Sequence, residues 1–215
     1  MAAFVRLIHT VWIGDDAKCP DAMIESWRDK NPDWHVWVWR NEDLKARTWH
    51  NQHWIEHFWQ MGEFCGVADV MRWEILEELG GFAVDAAAPC LRPLEDWLFS
   101  VDAFACWENE RQRPGLINNG FVFAPHGDPL IQAINQSLEA ETPPPDKRAW
   151  QTTGPVRLTA AWREYGRHWT IWPSHLFLPK HLTGEEYAGT GPVFASQQWG
   201  STFGYERLRE SDAAA

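Results

Sequence analysis

The 215-residue sequence has no apolar run near the roughly 20 residues that a membrane-spanning helix needs. Its four cysteines, Cys19, Cys65, Cys90 and Cys106, lie far apart and form no Cys-x-x-Cys pair. That spacing excludes a zinc ribbon or a disulfide-built scaffold, and reduced thiols are the expectation. Cations are scarce: 19 Lys and Arg face 30 Asp and Glu, for a net charge of −11. Broad binding to nucleic acid or to an anionic membrane needs clustered Lys and Arg, so the balance argues against both. A small anionic ligand stays open, because a few placed cations or helix N-termini serve it locally. There is no glycine-rich phosphate loop and no internal repeat. The stretch MAAFVRLIHTVW lacks the apolar segment and small-residue cleavage site of a secretory signal, so a cytoplasmic location is expected.

Tyrosine is also rare, at 3 residues, yet there are 16 tryptophans. Each indole needs burial or a flat ligand, and a partner for its N–H. The 45% hydrophobic and 23% charged residues suit a folded globule. The length suits one domain over 1–215, with 211–215 expected as a frayed tail.

The order of elements predicts an α/β fold with parallel pairing. Phe4–His9 reads as a strand, Pro20–Lys30 as a helix stopped by Asn31-Pro32-Asp33, and Trp34–Trp39 as a second strand. In that second strand Val36 and Val38 face one way, Trp37 and Trp39 the other. Trp49, Trp54, Phe58 and Trp59 follow at helical spacing; Trp49, Trp54, Trp59 and the tryptophans from Trp150 onward fall in less regular segments and are expected to rim a cleft. Phe64, Val67, Met71, Ile75 and Leu79 mark the clearest amphipathic helix, closed by Gly80-Gly81. Phe82–Val84 is then a short strand ending at Asp85, where ligands bind in open α/β sheets. Strands are expected at Ala103–Trp107 and Gly120–Ala124, and helices at Pro129–Ala140 and Val156–Tyr165. His50, His53 and His57 recur along one helical face, but no further ligand completes a zinc site at metal-ligand spacing.

Asp69 and Arg72 are three residues apart and share a helix face. Alone they describe a surface ion pair. Their context is richer: Ala68-Asp69-Val70-Met71-Arg72, then Gly80-Gly81-Phe82-Ala83-Val84-Asp85-Ala86-Ala87, then Leu91-Arg92-Pro93-Leu94. Upstream stand His9-Thr10-Val11-Trp12-Ile13-Gly14, Ser26-Trp27 and Asn31-Pro32. Downstream stand Asn118-Asn119-Gly120, Thr153-Gly154-Pro155 and Trp199-Gly200-Ser201-Thr202-Phe203. This ordered set resembles the glycosyltransferases whose sugar-binding region carries a D-x-D motif. They include capsular polysaccharide enzymes and yeast mannosyltransferase relatives and, more distantly, the glucosylating domains of large clostridial toxins.

The resemblance implies a GT-A-like fold, a Rossmann-type mixed sheet with flanking helices. It implies a retaining hexosyl transfer from a UDP- or GDP-sugar to a hydroxyl acceptor. By the same resemblance Trp12 and Ile13 contact the base, and Arg72 and Asp69 hold the phosphate and sugar. Asp85 touches ribose or metal, and Asn119 faces the reacting carbon. Mn²⁺ or Mg²⁺ is implied at positions 85 and 87, with Ser201 nearby. For Trp12 the plain alternative is a core ring, and for Asn119 a turn residue.

The chain departs from that pattern at three places. Position 87 is Ala where the second motif carboxylate belongs, Ala83 replaces a Tyr, and Gln197 and Gln198 stand where His residues are common. Three readings of Ala87 stay open. It is an inactivating change from a D-A-D parent, or the mark of an enzyme that neutralises phosphate with Arg and helix termini, or that of a non-catalytic nucleotide-sugar binder. The intact remainder of the donor motif favours the first, or weak activity. A transferase acting on a modified nucleic-acid base is a further alternative, and it requires Arg157, Arg163 and Arg167 to form one patch.

Overall fold

A computed structural model describes residues 5–166 and 168–204. Phe4, Arg167 and the expected tail at 211–215 lie outside the described residues. The elements are β1 (Leu7–Val11), α1 (Asp21–Lys30), β2 (His35–Trp39), α2 (Asn41–Ala46), α3 (Gln52–Met61), α4 (Phe64–Leu79) and β3 (Gly81–Val84). There follow β4 (Phe104–Asn109), β5 (Arg113–Ala124), α5 (Pro129–Ala140), α6 (Ala149–Thr152), α7 (Pro155–Tyr165), β6 (Thr170–Trp172) and α8 (Gly200–Phe203).

The strands form one mixed sheet in the order β2-β1-β3-β5-β4-β6. β1 pairs parallel with β2 and β3, β5 runs antiparallel to β3 and β4, and β4 pairs parallel with β6. The chain leaves β1 toward β2 on one side and returns through α4 to β3 on the other. A crevice therefore opens beyond the carboxyl ends of β1 and β3, where open α/β sheets bind ligands. Trp12 follows β1 and Asp85 follows β3, so the sheet brings both residues to that crevice.

One face of the sheet packs against α3, α4, α5 and α7, around Trp54, Phe58, Val67, Trp73, Ile134 and Leu158. The other packs against α1 and the irregular stretches near Phe99, Phe177 and Phe194. Helix α4 matches the periodic prediction end to end, but it is not amphipathic in place. Gly66, Val67 and every residue from Asp69 to Leu76 are buried. A helix buried all round lies inside the domain, which takes Asp69, Arg72 and Glu74 inside with it. Gly80 ends α4 at φ +64, a backbone conformation that a side chain resists.

The expected faces of β2 hold, with the Trp37 and Trp39 rings stacked at 4.7 Å, although Trp39 is buried and Trp37 exposed. Trp39 turns inward because its Nε1 donates to Nδ1 of the buried His9 at 3.1 Å. One expectation is corrected: β5 is far longer than its predicted second half, so Asn118 and Asn119 are strand residues rather than a turn. The short elements α2, α6 and β6 carry too few residues for a periodic signal.

Candidate active site

The residues singled out on α4, β3 and β5 meet at the crevice. Arg72 donates from Nη2 to Asp85 and from Nη1 to the Asn119 carbonyl. It lies 3.6 Å from Asp69. Asn119 Nδ2 donates to Asp69 Oδ1 at 2.7 Å, and Thr153 Oγ1 donates to the other Asp69 oxygen at 3.5 Å. Gln197 Nε2 donates to Asp85 Oδ2. Two acids thus flank one guanidinium, and two amides close the ring from β5 and the C-terminal segment. The surface ion-pair reading of Asp69 and Arg72 is excluded by their burial.

Two glycines let the ring close. A Cβ on Gly120 would meet Asp85 Oδ2 at 2.6 Å, and one on Gly154 would meet Asp69 Oδ2 at 3.0 Å. Gly154 is held there by neighbours that α4 anchors. Trp73 Nε1 donates to the Thr153 carbonyl at 2.8 Å, and Glu63 accepts from Arg148 and from the Ala149 amide, both at 3.1 Å.

Burial pushes the Asp69 carboxyl up to about 7, with Asp85 adding to the rise, while Arg72, Asn119 and Thr153 pull against it. Near neutrality Asp69 divides between an acid that donates and a carboxylate that accepts. Both forms suit sugar hydroxyls.

The remaining predicted residues are placed differently. Trp12 is 5% exposed, enclosed with Cys19, Ile24 and Ala86, and its Nε1 donates to the Asp15 carbonyl at 3.3 Å. Its ring packs as a core side chain. Ile13 is buried beside the α4 core. Ser201 is exposed on α8, and its hydroxyl has no hydrogen-bond partner among the described residues. Of the tryptophans expected at a cleft rim, Trp49 and Trp54 belong to the core instead, their N–H groups donating to the Leu44 and Leu138 carbonyls. Trp150 is exposed, with the Arg113 guanidinium 5.5 Å from its ring centroid. His53 meets the Glu141 carbonyl at 3.0 Å and His57 packs edge-on to Trp54 and Phe58, so that triad is not assembled for metal.

Nor do positions 85, 87 and 201 fit a divalent cation. Both Asp85 oxygens are engaged, by Arg72 and by Gln197. Ala87 offers a methyl buried against Met23, and its carbonyl accepts from the Gln198 amide at 2.9 Å. Hard cations take several oxygen ligands. Among the described residues no group of three His, Cys, Asp or Glu side chains gathers to hold an ion. The sequence marks Gln197 only as a residue where a His is common. Its position beside Asp85 comes from the return of the C-terminal segment, where Leu91 and Cys90 pair with Phe194 and Ala195.

Comparison with known proteins bears on the same segments. Residues 20–103 match the family model described as glycosyltransferase sugar-binding region containing DXD motif. The chain is similar to inositol phosphoceramide mannosyltransferase 2 of Schizosaccharomyces pombe, 24% identical over 177 residues. That match covers 75% of this chain and 47% of the relative, so the chain spans about half the length of that protein. Among solved structures, the PaToxG glycosyltransferase superposes with a TM-score of 0.58 at 14% identity, covering 75% of this chain and 69% of that one. The UDP-bound glycosyltransferase domain of the YGT toxin gives 0.52 at 9% identity, covering 88% and 83%. The matched segment holds α4 and β3, and with them Asp69, Arg72 and Asp85.

Proposed function

We propose that this chain, which carries a glycosyltransferase sugar-binding region on a GT-A-type fold, transfers a hexose from a nucleotide-diphosphate sugar to a hydroxyl acceptor. The observation that carries the reading is the buried trio Asp69, Arg72 and Asn119 joined to the half-buried Asp85 at the carboxyl ends of β1 and β3. A UDP-sugar is the first donor to test, since one structural neighbour holds UDP.

In this reading Asp69 and Asn119 hold the sugar hydroxyls, and Arg72 orients Asp85 and the donor. The bond between the anomeric carbon and the leaving diphosphate oxygen breaks. A new bond forms from that carbon to the acceptor oxygen, and the acceptor's proton passes to the leaving diphosphate. The described site offers no second carboxylate poised as a covalent nucleophile beyond the pair already tied to Arg72. The family resemblance implies retention, and with no such nucleophile front-side attack is the proposed course. Positioning and charge stabilisation supply the rate.

Thermal shift against UDP- and GDP-sugars, followed by assay of nucleotide release with and without an acceptor, tests the reading. Stabilisation together with acceptor-dependent release supports it. Stabilisation without any turnover favours the second reading, a nucleotide-sugar binder, for which the absent second motif carboxylate at Ala87 is the specific ground.

A further inference from the structure

A nucleoside diphosphate brings negative charge, and the ring around Arg72 has none of the opposite sign to spare. Arg72 is buried between Asp69 and Asp85, so the cluster is neutral at best. The two positions that would carry a metal do not fit one. A further cation facing the phosphates would supply the missing counter-charge.

A cavity of about 290 Å³ lies beside this cluster. It is lined by Lys180, His181, Ser196, Gln197, Gln198 and Trp199, among others. Gln197 reaches Asp85 and the Gln198 amide reaches the Ala87 carbonyl, so the cavity abuts the two motif positions themselves. Its volume falls just below the roughly 300–1,000 Å³ typical of small-ligand sites.

Its walls are rigid and its cation is not. His181 is fully buried, bonded through Nδ1 to Thr183 Oγ1 at 2.8 Å and lying 3.5 Å from Glu108. Trp199 stands edge-on to His181 at 5.4 Å and donates from Nε1 to the Lys180 carbonyl at 3.1 Å. It is also the only non-glycine among the described residues in the left-handed region, at φ 56. Such strain persists where the surroundings over-determine it, and it collects at ligand sites. Lys180, by contrast, is largely exposed, and its Nζ has only a loose contact to Glu186 at 3.7 Å. An ammonium on a flexible stem can leave that partner for a phosphate.

We infer that Lys180, at the mouth of the Gln197–Trp199 cavity, binds the donor's diphosphate in place of a divalent metal ion. The inference rests on the proposed donor class and adds to it the identity of the counter-charge. Glu186 competes with the phosphate for the same ammonium.

Isothermal titration with UDP, GDP, uridine and pyrophosphate tests it, in EDTA and in Mn²⁺. UDP or GDP should bind with the same affinity in both media. Lys180→Gln should weaken that binding tenfold or more, as expected for loss of a charge-assisted contact, and Lys180→Arg should restore it. Glu186→Gln should tighten it several-fold, and the binding of uridine should ignore all three changes. Because Lys180 and Glu186 are exposed, the variants should melt within a degree or two of wild type. A tenfold gain on adding Mn²⁺, or Lys180→Gln binding like wild type, overturns the inference and leaves the glycosyltransferase reading standing. Absence of binding by every nucleoside diphosphate in both media overturns the glycosyltransferase reading, and the inference with it.

Discussion

Gly120→Ala tests the packing of the site without knowledge of the substrate. Gly120 does not occupy the left-handed region, so the residue is required by space rather than by backbone freedom. The added Cβ would sit 2.6 Å from Asp85 Oδ2 and 2.8 Å from its Cγ. Ordinary contact begins near 3.4 Å, so the carboxylate must retreat by about 0.8 Å. It is not free to do so, since Arg72 and Gln197 hold its two oxygens. Overpacking of this kind costs about 1–3 kcal/mol. In an Asp85→Ala background the two closest contacts are gone and only Asn118 Oδ1, at 3.0 Å, stays tight, so the same change should cost clearly less than in the native background. Urea unfolding of the four proteins measures the coupling, with each Gly120→Ala effect read from its own parent. Equal costs in the two backgrounds would refute the idea that Gly120 exists to admit Asp85. Displacement on this scale should also lower turnover about 100-fold in the native background.

Asp69→Asn should change the pH profile of stability. The carboxyl is raised from 3.8 to about 7, so between those values the folded state binds more protons and stability falls as pH rises. The variant should lose that slope in urea titrations from pH 4 to 8, and an unchanged slope refutes the assignment. His9 acts with the opposite sign. Burial lowers it from 6.5 to about 4, so stability falls as pH drops through that window, by about 3 kcal/mol in full. Nε2–H donates to the Gly80 carbonyl at 2.9 Å while Nδ1 accepts from Trp39, so protonation at Nδ1 breaks a buried bond. His9→Gln should flatten the acid limb in the same titration. Trp54→Ala should cost about 3–5 kcal/mol, as for a buried indole, whereas Trp150→Ala should leave the melting temperature nearly unchanged and raise the acceptor KM. Mn²⁺ alone should leave the melting temperature of the wild-type chain unchanged, and a stabilising shift would contradict the ligand geometry described for positions 85 and 87.

The parts of the fold that were legible in the sequence share one property: their signal is local. α4 and α5 were read with their observed bounds, because apolar periodicity and end signals such as Gly80 and Asp128-Pro129 act within a few residues. Strand β5 was half missed, because Arg113–Asn118 alternates weakly and pairs with β4 through irregular register. Trp49 and Trp54 resembled cleft residues because a polar, aromatic stretch reads the same whether its rings face a ligand or a core. What separates them from Trp150 is α3 lying against α4, which no short window shows. Gln197 was invisible as a partner of Asp85 for a similar reason. The two are 112 residues apart and meet only because the segment at 194–198 returns along 87–91.

From the sequence alone follow the alternation of strand and helix, the amino-acid content of the site and the absence of the second motif carboxylate. These depend on residue identity and short spacing, which folding does not alter. Tertiary structure alone decided that α4 is buried all round. That burial turns an ordinary i, i+3 pair into a guanidinium held between two acids and raises Asp69. It also decided that Trp12 packs inward and that Gln197 occupies Asp85. Burial and long-range closure set these outcomes, because the energy of a charge depends on what surrounds it and not on its neighbours in the chain.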